Sequence, residues 1–186
     1  MDVNSGFDML QFCNPMTTIQ TSPAPPNALI HKYTSMPGAY TDSYMTVIPA
    51  QVSFPEYVFA FYTTSLFKVE RLILTLTVRK PSTDVQAREL SNAKRNSFAA
   101  WTVEARDENQ ILMCDFAGST RSWLMTVPAK NGTRLYFGSA VVPRGNSQDG
   151  KPSLGFNFQA LLGFHKVYSV LLLSSASSRL IRQQKS

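Results

Sequence analysis

His165 and Tyr168 stand one helical turn apart and could serve as a proton donor and acceptor facing a pocket. The ordinary alternative is a core histidine satisfied by a hydroxyl or a backbone carbonyl. Arg121 is a third residue whose type could carry a polar task. It lies in a run, Thr120 to Val127, that reads as a strand, with its side chain expected on the apolar face. A guanidinium there keeps its proton and needs an acid, an anionic ligand or a path to water. Either Arg121 anchors a carboxylate or phosphate, or its head snorkels past Phe116 into solvent, with Asp42 as a candidate acid partner. Cys114, between Met113 and Asp115, reads as a small core residue before it reads as a nucleophile.

Other chemistries lack their residues. His31 and His165 are the only histidines, Cys13 and Cys114 the only cysteines, and neither pair has metal-ligand spacing. No metal and no cofactor is expected. There is no Gly-rich phosphate loop and no G-x-S-x-G nucleophile turn. The 18 Lys and Arg outnumber the 12 Asp and Glu, giving +6, but the basic residues are scattered and no base-reading motif accompanies them. A nucleic-acid partner is therefore not expected. Two cysteines imply no disulfide framework, the N-terminus lacks a signal-peptide pattern, and no apolar run could span a bilayer. The expected setting is cytoplasmic. Asn131-Gly132-Thr133 matches a glycosylation sequon but reads first as a turn between strands.

The elements that would position these residues follow from pattern. Residues 1–36 carry Pro15, Pro23, Pro25 and Pro26 and little periodicity, and are expected to form an irregular arm. Residues 37–180 are expected to form a single α+β domain, followed by a short polar tail at 181–186. A first strand is expected near Tyr40 to Ile48. Ser53-Phe54-Pro55-Glu56 has capping-box spacing, and Phe54, Tyr57, Val58 and Phe61 give the helical stripe behind it. Further helices are expected over Leu66 to Val78 and, capped by Ser82 or Thr83, over Asp84 to Lys94. Four strands follow, near Ala99–Arg106, Gln110–Phe116, Thr120–Val127 and Thr133–Val142. Their short polar breaks require antiparallel neighbours. A long helix from Leu154 to about Ser178 closes the chain. Leu154, Phe158, Leu161, His165, Tyr168 and Leu172 share its apolar face, widened by Phe164, Val167 and Leu171.

Turn chemistry sets an expected register. A two-residue turn at Glu108-Asn109 pairs Ala105 with Leu112 and Val103 with Cys114. A three-residue loop ending on a left-handed Gly132 pairs Trp123 with Ser139 and Met125 with Phe137. One core face would then hold Trp101, Trp123, Phe137, Cys114 and Arg121, under the C-terminal helix.

The order strand, helices, antiparallel meander, long C-terminal helix is similar to the helix-grip fold of the START-like and polyketide-cyclase-like superfamily. The segments Phe98 to Arg106, Cys114-Asp115, Thr120 to Leu124 and Leu135 to Pro143 also resemble a group of bacterial proteins of uncharacterised activity. The superfamily resemblance implies a curved sheet wrapped around the last helix, often with a ligand cavity between them. Five strands are read here against the usual seven, so two short strands are hidden or the grip is incomplete.

The reading that joins these observations is a small-molecule binding domain with a pocket between the sheet and the C-terminal helix, its ligand apolar or aromatic, with anionic forms among the candidates. Trp101, Trp123, Phe137, Phe158 and Tyr168 would supply apolar walls, and Arg121, Ser139 and His165 the polar points. Two alternatives stand beside it. One is a cyclase- or dehydratase-like enzyme using the same pocket. The other is a filled-core module acting through its surface or by self-association as a homo-oligomer.

Overall fold

The computed structural model describes residues 18–69, 71, 79, 81–143 and 157–184, the last segment with side chains from Lys166 onward. Among these residues the chain forms one seven-stranded antiparallel sheet with the longer helices on one face and a single-turn helix on the other. In chain order the strands are β1 (Gln20–Thr21), β2 (Tyr40–Ile48), β3 (Ser97–Phe98), β4 (Trp101–Asp107), β5 (Gln110–Asp115), β6 (Thr120–Ala129) and β7 (Gly132–Val141). The helices are α1 (His31–Thr34), α2 (Phe54–Tyr62), α3 (Asp84–Ser91) and α4 (Asn157–Gln183), with a helical stretch at 65–69 between α2 and α3. The sheet order is β1-β2-β7-β6-β5-β4-β3. The two short strands missing from the sequence reading are β1, inside the expected arm, and β3, directly after the helical block. The class is α+β, a curved antiparallel sheet packed against a long C-terminal helix.

Local chemistry starts the helices where the spacing predicts. Ser53 Oγ accepts from Glu56 N, and Glu56 Oε2 accepts from Ser53 N at 2.7 Å, a reciprocal cap on α2. Thr83 and Gln86 repeat the device on α3. The second predicted helix is seen only at its start, because 72–78 lie outside the described residues. Residues 144–156, with the expected start of the last helix at Leu154, likewise lie outside them.

The register departs from expectation at three points: by two residues between β5 and β6, where the Gly118-Ser119 turn is expected to set Phe116 opposite Arg121 and Cys114 opposite Trp123 but Cys114 opposes Arg121 and Leu112 opposes Trp123, which keeps the faces, and by one residue at each of the two points that follow. Ala129 pairs with Gly132, so the β6–β7 turn is the two residues Lys130-Asn131 and not a three-residue loop. Trp123 therefore opposes Gly138, and Leu124 opposes Phe137. On β4 the ladder shifts between Val103 and Ala105, a bulge at Glu104. Ala105 still pairs with Leu112, but Val103 pairs with Met113 and Trp101 with Asp115. Because side chains alternate, each one-residue slip sends the following residues to the other face. The expected single core face thus divides. Trp101, Val103, Phe137 and Ser139 face the helices, while Trp123, Cys114 and Arg121 face the opposite side.

That opposite side has its own core. Ala28, Ile30 and Tyr33 pack on Leu112, Trp123, Met125, Tyr136 and Ala140. Residues 18–36 are therefore docked on the sheet, in contrast to the irregular arm expected there; residues 1–17 lie outside the described residues. Gln110 joins the two: its Oε1 accepts from Trp123 Nε1 at 3.0 Å and from Leu29 N at 2.9 Å, and its Nε2 donates to Asn27 O at 3.0 Å. On the helix face the core runs through Tyr57, Phe61, Tyr62, Phe67, Phe98 and Phe137 to Leu172, Leu173, Ala176 and Leu180 of α4. Val167 and Leu171, expected to widen the apolar stripe, are exposed instead. No helix of the described residues is long and apolar enough to cross a membrane.

Candidate ligand cavity

Between the sheet and α4 lies a cavity of about 210 Å³. Its walls come from four places in the chain. Capping places α2 so that Phe61 and Tyr62 face inward, and Phe67 follows from the next helical stretch. The β4 bulge turns Trp101 inward. The β6–β7 turn sends Phe137, Ser139 and Ser122 inward, and α4 contributes Tyr168, Ser169 and Leu172. The aromatic groups support one another: the Phe61 and Phe137 rings lie 5.1 Å apart, and Tyr62 meets Phe67 edge-on at 4.9 Å.

Polar groups gather at one end. Asp115 and Thr120 line it where β5 turns into β6. The Asp115 carboxylate accepts from Ser119 N at 2.7 Å and Thr120 N at 3.1 Å, which caps the turn. Ser139 N donates to Asp42 Oδ1 at 3.2 Å, and Ser139 Oγ donates to the same oxygen. The hydroxyls of Tyr44 and Tyr40 point at Asp42 Oδ2 from 3.4 and 3.5 Å. Burial, and then the Asp42 charge, pushes the Tyr40 hydroxyl up to about 12 and raises Tyr44 as well.

Of the residues proposed from sequence, Trp101, Phe137, Ser139 and Tyr168 are brought together here. Trp123 is not: it is fully buried on the other face, beneath the docked residues 18–36. The side chains of Phe158 and His165 lie outside the described residues. Arg121 borders the cavity, but its guanidinium is engaged elsewhere. Its Nε donates to Glu104 Oε2 at 2.9 Å and to Tyr33 OH at 2.8 Å, and an Nη donates to Gly118 O. Glu104 also accepts from Lys32 Nζ at 2.6 Å and from Tyr33 OH at 2.5 Å. The acid that pairs with Arg121 is therefore Glu104, not Asp42, and it reaches that face through the bulge. Burial alone would raise the Glu104 carboxyl, but hydrogen bonds from Lys32, Tyr33 and Arg121 together hold it below its ordinary range.

Sequence reasoning missed Ser122, Phe61, Tyr62 and Phe67 as lining residues. Phe61 was placed on a buried helical stripe, yet nothing in the spacing said which part of the sheet that stripe covers. Cys114 is a half-buried free thiol whose pKa burial raises, and it belongs to neither core cluster. Among the described residues no cluster of three or more His, Cys, Asp or Glu could hold a metal ion.

No protein-family model matches the chain, and no curated protein matches it. Two solved structures show a distant likeness. A structural-genomics protein from Rhodobacter sphaeroides is 12% identical with a TM-score of 0.42, over 90% of this chain and 98% of that one. Ara h 8.0201 is 9% identical with a TM-score of 0.36, over 76% of this chain and 98% of that one.

Proposed function

We propose that the chain is a small-molecule binding domain whose ligand, apolar or aromatic, sits between the sheet and α4. The observation that carries this reading is the cavity of about 210 Å³ with aromatic walls and polar groups at one end. Pockets for drug-sized ligands span roughly 300–1,000 Å³, whereas an apolar cavity of about 150 Å³ holds benzene. The size supports a ligand of one or two fused rings. An anionic ligand draws no support from Arg121, because Glu104 already pairs that charge. The segments quoted above support placing the chain beside the bacterial group it resembles. A reducing, cytoplasmic setting belongs to the same reading, supported by only two cysteines in the sequence.

The test is equilibrium dialysis of the purified protein against one- and two-ring aromatic hydrocarbons, with Leu172→Phe as the blocked variant. Saturable binding at one site, weakened at least about tenfold by the added ring volume, supports the reading. Absence of saturable binding by the wild type, or equal binding by the blocked variant, overturns it.

A further inference from the structure

A second pocket, of about 370 Å³, lies where the C-terminal half of α4 passes the corner between α2 and the helical stretch at 65–69. It shares no lining residue with the aromatic cavity. From α4 it takes Ser174, Ser175, Ser178 and Arg179, and from the corner Thr64 and Ser65. Spacings of four put Ser174 with Ser178 and Ser175 with Arg179 on one side of the helix. Arg182, at the rim, has an interaction of its own and supplies none of the donors counted below. Among the described residues no carboxylate lines this pocket.

The corner fixes which groups are occupied. Thr64 Oγ1 accepts from Phe67 N at 3.1 Å and donates to Phe61 O at 3.1 Å, so it caps the helical stretch and has no proton left to give. Arg179 fastens α4 to the same corner, its Nη1 donating to Thr63 O. A guanidinium has five N–H groups, and the Nε–Nη2 edge of Arg179 meets no acceptor among the described residues. Arg179 is half-buried and forms no ion pair with them. The acids of α2 and α3 are already held: Asp84 by Arg71 and Lys68, Glu89 by Arg95, and Glu56 by the Ser53 cap. Arg88 of α3, also without an ion pair, lies 4.1 Å from the centroid of the Phe59 ring, and Arg179 lies 5.7 Å from the same centroid. Two guanidinium groups without a carboxylate thus share one ring, and an anion beside them relieves their repulsion. The hydroxyls of Ser65, Ser174, Ser175 and Ser178 make no hydrogen bond with the described residues, so each can donate.

We infer that this pocket binds the phosphate group of a small molecule. The Nε–Nη2 edge of Arg179 donates to two phosphate oxygens, in the bidentate geometry that arginine provides. Ser65 on one wall and the α4 serines on the other donate to the rest. A planar carboxylate presents its acceptors in one plane, whereas a tetrahedral phosphate presents them to both walls. At neutral pH a phosphomonoester also carries close to two negative charges. The pocket lies within the range of roughly 300–1,000 Å³ that small-molecule sites occupy, which leaves room for the organic part of an ester. This site is independent of the aromatic cavity, and either can fail without the other.

The experiment is isothermal titration calorimetry of the full chain with inorganic phosphate, glycerol 3-phosphate and glycerol. It is run at neutral pH and an ionic strength of about 0.15 M, where exposed charges beyond about 8 Å are screened. Both phosphates should bind at one site and glycerol should not. Arg179→Gln should weaken phosphate binding by at least about tenfold, the worth of a hydrogen bond between charged groups. Because Arg179 also fastens α4 to Thr63, Ser178→Glu is the second variant. That position is exposed, so the thermal melt should stay that of the wild type while the added carboxylate abolishes phosphate binding. Tighter binding of glycerol 3-phosphate than of inorganic phosphate assigns an organic phosphate, and equal binding assigns the free ion. Cosedimentation with phosphatidic-acid vesicles that is lost in Ser178→Glu assigns a lipid headgroup. Absence of saturable binding to all three phosphates, or binding that survives both substitutions, overturns the inference.

Discussion

Arg121 and Glu104 join strands that are not neighbours to the residues docked over them, and the strength of that joint can be worked out. Arg121 and Glu104 side chains are 13% and 17% exposed, and their charged atoms lie 2.9 Å apart. Removing one partner of a buried ion pair costs about 3–5 kcal/mol, because the other charge stays buried alone. Here Arg121→Met leaves Glu104 with Lys32 and Tyr33, so the loss should fall lower, to about 2–3 kcal/mol. For a chain of this size each kcal/mol moves Tm by about 2–4 °C, so Arg121→Met should lower Tm by roughly 5–10 °C. Lys32 is 61% exposed. Lys32→Met should cost about 0–1 kcal/mol, as surface pairs do. The carboxyl of Glu104 is held low in the fold, so its contribution is complete above the ordinary carboxylate range, near pH 4.3, and is lost as pH falls through the lower folded value. Glu104→Gln should therefore be least stable relative to wild type at pH 7 and converge on it in acid. Thermal melts of the three variants from pH 3 to 7 measure this. Equal, small shifts for Arg121→Met and Lys32→Met, or a Glu104→Gln deficit that grows in acid, would refute the reasoning.

Two further outcomes are expected. A chain starting at Pro37 should lose Ile30 and Tyr33 from the sheet, expose the fully buried Trp123 and melt without a cooperative transition; red-shifted tryptophan emission reports it, and an unchanged melt would show that residues 18–36 stabilise nothing. Gly132→Ala should destabilise by several kcal/mol in urea titration, since φ is +152° and an added Cβ would lie 1.9 Å from Ile48 O; a variant within about 1 kcal/mol of wild type would place the β6–β7 turn elsewhere.

How far the fold could be read depended on the kind of signal. Capping boxes and turn residues are local, and they placed α2, α3 and the five long strands within a few residues. Register is set by counting, and a miscount of one residue inverts a face. The Asn131-Gly132 dipeptide was compatible with two loop lengths, and only the pairing of Ala129 with Gly132 decides between them. The bulge at Glu104 carries no glycine or other local mark. These two slips hid the row Asp42, Ser139 and Ser122, which exists only when three strands are in their true register. They also hid the partner of Arg121. Yet a signal for the second core was present. Ile111-Leu112-Met113 and Trp123-Leu124-Met125 are unbroken apolar runs, where a sheet covered on one face should alternate. Such runs require a cover on both faces. The helices supply one, and the only long stretch without an assigned task was the proline-containing N-terminal segment. Its apolar residues lack periodicity because they dock as a short turn of helix and extended chain, not as one regular element, so pattern alone could not reveal them. The demand came from the strands: once both faces of β5 and β6 are counted as buried, Ile30 and Tyr33 have a surface to fill, and Lys32 and Tyr33 arrive beside Glu104 and Arg121 as a consequence.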